Sequence, residues 1–298
     1  MQMLYRSNDD TPGKIHSLYQ QHYSKYKKYL KELGKEPDPT VPEPIRLLKF
    51  AQTAKFIEEH NERYKKGLVK YELKLNEMSD WTEDEKQRLF GRVPSPSSGT
   101  VANLTQLLAK KKKKTIPKKM DYRKKIKTVP VINQGQCGVC YIFSALAALE
   151  MYITLKEKKP PVRLSVQEVM DCSGLQRCFG KGGSEDDVFN WVAEHGVALA
   201  KSYPYKENNG ISCPRLQSHV TGGLAGGVFL PFNNEEVIKK VLALYGPVSV
   251  SLHASTESFK SYGKGNWGKS WGQNGYGLIR AGEFTCGIGR SSIIPIFS

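Results

Sequence analysis

No stretch of this chain approaches the roughly 18 consecutive apolar residues that a membrane-spanning helix needs, so a membrane partner is not expected. Met1–Lys14 carries Arg6, Asn8, Asp9 and Asp10 but no apolar core of a secretory leader, so no signal peptide is visible. Acidic residues are scarce: 29 Asp and Glu stand against 45 Lys and Arg, a net charge of +16 over 298 residues. The excess is spread evenly along the chain rather than gathered in one basic domain. Its densest point, Lys110–Lys114, has no interleaved aromatic rings on which bases could stack. That lysine run can read as a nucleic-acid or nuclear-targeting patch, but its Pro/Ser/Gly-rich surroundings favour a solvated, protease-sensitive linker. Nucleic acid is therefore not expected as a partner. A mean hydropathy of −0.49 with 39% hydrophobic residues fits a globular protein of two domains, or one domain with a long leader segment.

What is present centres on Asn133-Gln134-Gly135-Gln136-Cys137-Gly138-Val139-Cys140-Tyr141, a Gly-rich polar turn that runs into an apolar stretch, Ile142–Leu155, without Gly or Pro. The apolar stretch reads as a buried helix, which puts Cys140 at its N-terminus. Unpaired amides and the macrodipole there favour an anion, so the thiol is expected to ionise readily and act as a nucleophile. Gln134, on the turn, is placed to offer an amide N–H to a developing oxyanion. The alternative for a Cys on such a helix is simple burial.

Upstream, the sequence reads as an amphipathic helix over Lys14–Tyr29, a proline-broken stretch, and a second helix from Ile45 to about Tyr64. The alternation Tyr71, Leu73, Leu75 predicts a short strand, and Thr82 or Asp80 a cap for the next helix. Downstream, Ser165 is expected to cap a short helix through Cys172, with Glu168 completing a capping box. Helices are also expected over Ser184–His195 and Glu235–Leu244, and strands over Val248–His253 and Ser292–Phe297. The fold class is α+β.

The Cys-Gly-Val-Cys-Tyr segment resembles the active-site segment of papain-like, cathepsin L-type cysteine peptidases, with Val139 as the departure. Arg46, Phe50, Ile57 and Asn61 resemble the ERFNIN motif of the propeptides of that family, with Pro42 and Thr53 as departures. Leu73–Asp80 is similar to the GxNxFxD segment, and Leu164–Cys172 to "LSEQELVDC". The resemblance implies a two-lobe papain-like fold: an inhibitory propeptide over 1–92 threading the cleft backwards, a basic linker with the processing region over 93–115, and a peptidase domain over 116–298. Within that domain the helical lobe is expected at about 128–215 and a β lobe lacking strands at 216–298.

For the site, the resemblance implies Cys140 as nucleophile, Gln134 in the oxyanion hole, and Gly182, Gly183 and Trp267 against substrate. It implies disulfides Cys137–Cys178 and Cys172–Cys213, whose spacing matches the family's; the alternative, which the lack of a visible signal peptide would favour, is a reduced cytosolic chain. No cofactor or metal is implied. Protein or peptide substrates, the chain's own propeptide and cystatin-type inhibitors are the implied partners, and the compartment is lysosomal or extracellular.

One part of the pattern is missing. In the family a catalytic His and an orienting Asn lie roughly 130–150 residues beyond the Cys, yet the last of the six histidines here is His253. Glu257–Tyr262 resembles the segment before the family's His strand, and Asn266–Tyr276 the "NSWGxxWGxxGY" segment after it. Only Gly263, Lys264 and Gly265 lie between. Asn266 stands one place later than the family's Asn, Cys286 is left without its expected partner, and His253 is the one surrogate base the strand pattern offers. The implied activity is thiol endopeptidase made as a zymogen, impaired for want of its base. The alternative is a pseudoprotease that binds peptides or inhibits other peptidases.

Overall fold

The computed structural model describes residues 11–36, 39–92, 115–175, 178, 182–210, 212–213, 220, 223–262 and 275–297. Two compact units emerge, one from the described residues of Met1–Lys86 and Ser255–Gly277, the other from Gln87–Ala254 and Leu278–Ser298.

The first unit is built on α1 (Thr11–Leu33) and α2 (Glu43–Lys65), joined by a proline-containing turn. Proline suits the first turn of α2, where its missing N–H leaves nothing unpaired. Tyr26, Tyr29 and Leu30 of α1 pack with Leu47 and Phe50 of α2, the Phe50 ring lying 5.3 and 4.9 Å from the two tyrosine rings. The polar motif positions are internal ties. Arg46, buried on α2, forks onto Glu85 of α3 (Glu83–Gln87), with Nη1–Oε2 at 2.8 Å and Nη2–Oε1 at 2.6 Å. Asn61 pairs both ways with the Leu73 backbone at 2.9 Å. Asp80, fully buried, accepts from Tyr26 and Tyr29 at 3.3 and 3.2 Å and from Lys35, whose own pKa burial pushes down. Thr82 caps α3 and receives Glu85 in return.

The strand expected around Tyr71–Leu75 is absent. Leu73 alone bridges to Tyr262, so it is buried while Tyr71 and Leu75 stay exposed. With one bridge rather than a ladder, nothing holds the neighbours to the same face. Lys74 N–H to the Ser261 carbonyl (2.9 Å) and Asn76 Nδ2 to the Lys260 carbonyl (2.7 Å) continue this join to the short helix Glu257–Lys260. A piece of the late chain thus belongs to the same compact unit as the motif segment.

The second unit is organised on α4 (Cys140–Glu157), whose residues Tyr141, Ile142, Ala145, Leu146, Ala148, Leu149 and Ile153 are buried. Apolar side chains cover most of its circumference, as expected for a central helix. Against it lie α5 (Val166–Cys172) and α6 (Glu185–His195), the latter through Val188, Phe189 and Val192. Ser165 caps α5 by accepting from Glu168 N at 2.9 Å, but the expected box is half-formed. The Glu168 carboxylate accepts from Ala198 N instead, and Ser165 N–H goes to the Ala198 carbonyl at 2.9 Å.

Three antiparallel strands complete the unit in the order β1–β3–β2: β1 (Leu224–Phe229), β2 (Ser249–Val250) and β3 (Ser292–Phe297). Helix α7 (Glu235–Leu244), capped by Asn234, lies between β1 and β2 in the chain. The strand expected over Val248–His253 is cut to two residues, with looser pairing of Ser251 N to Ser291 O (2.9 Å) and His253 N to Cys286 O (2.7 Å) beyond it. Its buried face is also not the expected one: Ser249 is inside, its hydroxyl bonded to Ser144 of α4. Ser251 and Ser292 have buried hydroxyls without partners, and buried polar groups left so are costly.

Candidate active site

The turn before α4 is tied at several points. Cys137 is joined to Cys178, and Gly138 N donates to the Cys178 carbonyl at 3.0 Å. Cys172 is joined to Cys213, leaving Cys140 and Cys286 as the free cysteines among the described residues. Gly135 adopts φ +62°, a left-handed conformation natural to glycine. Tyr205 donates to the Gln134 carbonyl at 2.7 Å and sets its ring edge-on to Phe143. This tyrosine positions the glutamine's backbone, a role sequence reasoning missed because 71 residues separate the two in the chain.

Cys140 is the first residue of α4, with Val139 before it offering no side-chain cap. Over it runs the segment Leu89–Arg92. Gly183 N donates to the Gly91 carbonyl at 2.8 Å, and Arg92 pairs with Gly183 in a parallel bridge. A Cβ on Gly91 would lie 1.4 Å from the Gly138 oxygen, and one on Gly182 (φ +83°) 1.9 Å from the Gly91 oxygen. Only glycine fits at either position. Gln134 Nε2 donates to the carbonyls of Leu89 (3.2 Å) and Cys137 (2.9 Å), so the amide expected to hold an oxyanion holds a backbone carbonyl of this segment.

The thiol is not acid-shifted. Burial raises its pKa above the ordinary cysteine value, the Gly91 amide opposes this, and the Glu185 carboxylate adds to the rise. The backbone amides of Tyr141 and of Cys140 itself pull downward, as a helix N-terminus should, but burial beneath the covering segment outweighs them. The expected ready ionisation is therefore corrected for this covered form. Glu185, the first residue of α6, is buried and its pKa is raised by that burial; Arg92 Nε lies 3.2 Å from its Oε2. The Arg92 guanidinium also donates to Ser291.

Asn266 and Trp267 lie outside the described residues. His253 is exposed, its backbone N–H on the Cys286 carbonyl. His60 contacts the Tyr71 carbonyl at 2.9 Å, and His195 stacks on Trp191 at the end of α6. Gly91 and Arg92 were not foreseen as site residues, and the signal for them is slight: one glycine in a polar stretch without periodicity.

A model of the papain family cysteine protease matches residues 116–266, and one of the cathepsin propeptide inhibitor domain matches residues 26–85. A cathepsin L-like peptidase of Aedes aegypti is 30% identical over 94% of this chain and 95% of its own length. Cathepsin K of Mus musculus is 30% identical over 88% of this chain and 89% of its own. Among solved structures, the digestive procathepsin L2 proteinase from Tenebrio molitor larval midgut superposes with a TM-score of 0.79. It is 25% identical, with 92% of this chain and 99% of that one covered.

The chain belongs to the papain family of cysteine proteases. It has the layout of a papain-family zymogen, a cathepsin propeptide preceding the protease domain, and the fold of the procathepsins. In the second unit, the Leu89–Arg92 segment that follows the matched propeptide region lies over Cys140, within the region matched by the protease model. Among the described residues no helix is long and apolar enough to cross a membrane.

Proposed function

We propose that this chain is a peptide-binding papain-family zymogen whose own proteolysis is severely impaired. The observation that carries this is the absence of any histidine after His253, in a family whose chemistry needs an imidazole beside the thiol. Residues 1–92 act as the inhibitory propeptide, 93–115 as the linker cut on maturation, and 116–298 as the peptidase domain, with a helical lobe near 128–215 and a shortened β lobe over 216–298.

In the reaction such a domain performs, the Cys140 sulfur adds to a peptide carbonyl, and Gln134 Nε2 with the Cys140 N–H steadies the oxyanion. The amine then leaves with a proton, and water hydrolyses the thioester. The amine needs that proton from a base that first took it from the thiol. Gly182, Gly183 and Trp267 hold the peptide, and Asn266, one place later than the family's Asn, is the candidate for the orienting position. His253 is the candidate surrogate, and its exposure speaks against it. Losing the base of such a pair costs several powers of ten in rate. Two disulfides support a lysosomal or extracellular setting, where cystatin-type inhibitors are candidate partners.

A second reading, a pseudoprotease that inhibits active relatives, draws on the first unit, where the Arg46–Glu85 and Asn61–Leu73 ties are all made. Titration of the processed protein with an irreversible thiol-directed epoxide, followed by a peptide turnover assay, separates the readings. Labelling of Cys140 without turnover is the expected result. Turnover at rates ordinary for a peptidase would overthrow the impairment, and inhibition of active relatives would favour the second reading.

A further inference from the structure

The Arg92–Glu185 pair carries more than inhibition. Glu185 is 3% exposed, and Asp186 and Asp187 follow it. Ser184 satisfies Asp186 by donating to its carboxylate. The cation seated on Glu185 is Arg92, which presents Nε to the carboxylate and Nη2 to the Ser291 hydroxyl just before β3. The same residue pairs in register with Gly183, and its neighbour Gly91 covers Cys140. When the propeptide leaves, a buried carboxylate loses its cation at the same moment as the Gly183 N–H loses its acceptor. Leaving one member of a buried ion pair uncompensated is strongly unfavourable. A peptide that takes over the Gly183 backbone station is therefore favoured if it also brings a cation.

We propose that Glu185, helped by Ser291, is a specificity-determining residue of the cleft and selects peptides with an arginine side chain at the station beside Gly183. Two acceptors held apart, a carboxylate on α6 and a hydroxyl before β3, suit the planar fork of a guanidinium, whereas a lysine ammonium is a single point charge. Arginine should bind ahead of lysine, and lysine ahead of neutral citrulline. The inference rests on the Cys140 groove being a peptide cleft, but not on whether peptides are turned over.

The test uses the full-length Gly91→Ala/Arg92→Ala protein, in which the covering segment is lifted from the Gly183 station and Glu185 is left without its guanidinium. Alkylation of Cys140 by iodoacetamide is followed by peptide mapping, which separates it from Cys286. Binding of N-acetyl-arginine methylamide and its lysine and citrulline analogues is measured in parallel by calorimetry. The arginine compound is expected to protect Cys140 at a concentration about tenfold lower than the citrulline compound. Adding Glu185→Gln should erase that difference, while Ser291→Ala should narrow the arginine–lysine gap alone. Equal protection by arginine and citrulline, or a preference that survives Glu185→Gln, would overturn the proposal and leave the peptide cleft standing. If none of the compounds binds or protects, the proposal and the cleft reading fall together.

Discussion

The polar interior of the first unit and the surroundings of Cys140 are built from similar groups but end differently. In the first unit Arg46 meets Glu85, Asn61 meets Leu73, and Asp80 meets two tyrosines and a lysine. Around Cys140 the thiol is met by the Gly91 amide, Gln134 by the Leu89 carbonyl and Glu185 by Arg92. These partners all come from the Leu89–Arg92 segment. In the first region the partners are supplied from within the unit, whereas around Cys140 they are supplied by one short backbone segment from earlier in the chain. The difference is that the surroundings of Cys140 depend on a covering segment, in a chain whose last histidine is His253.

Four substitutions would break or sharpen that contrast, the strongest first. Gly91→Ala drives a Cβ into the Gly138 carbonyl, so the covering segment must lift. Cys140 in the full-length protein should then react with iodoacetamide on the order of 100-fold faster, as a buried thiol becomes exposed. An unchanged rate would mean that the segment does not guard the sulfur.

Arg46→Ala strands Glu85 in the first unit and should destabilise it by about 3–5 kcal/mol, read from urea unfolding. A loss below ~1 kcal/mol would show that the buried fork is not a structural tie.

Glu150 on α4 offers a pH test. Its Oε1 accepts from Leu164 N at 2.7 Å, Oε2 is buried without a partner, and burial pushes its pKa up to about 7. The folded form holds the proton more tightly than the unfolded chain. The stabilisation is therefore complete below the ordinary carboxyl range and is lost as pH rises to about 7. Glu150→Gln should remove that decline, worth about 3 kcal/mol between the two limits. Parallel stability–pH curves for the two proteins would contradict it. The smallest effect is Ser165→Ala, which strips the cap from α5 and should cost about 1 kcal/mol in thermal or urea unfolding. With half the capping box already absent, a larger loss would point to the Ser165–Tyr203 bond as well.

Much of the scaffold was legible because it rests on local chemistry. The apolar run after Cys140, the Ser165 cap and the helix Glu235–Leu244 depend on residues a few places apart. What could not be read depends on distant partners. Leu73 is inside because Tyr262 reaches it, not because of alternation with Tyr71 and Leu75. Ser249, in the strand expected over Val248–His253, is inside because Ser144 of α4 meets it. The thiol's upward shift likewise depends on a segment some fifty residues earlier in the chain settling over it. Helix position alone pointed the other way.

The central claim is that Cys140 can be acylated but lacks a proton-transfer partner. The most direct measurement compares an activated ester with the matching peptide amide on the processed protein. An ester leaving group departs without a proton, so a burst of acylation at Cys140 with negligible amide hydrolysis is the predicted result. Amide hydrolysis with a bell-shaped pH profile that collapses in His253→Ala would contradict it, by showing that the exposed imidazole serves as the base.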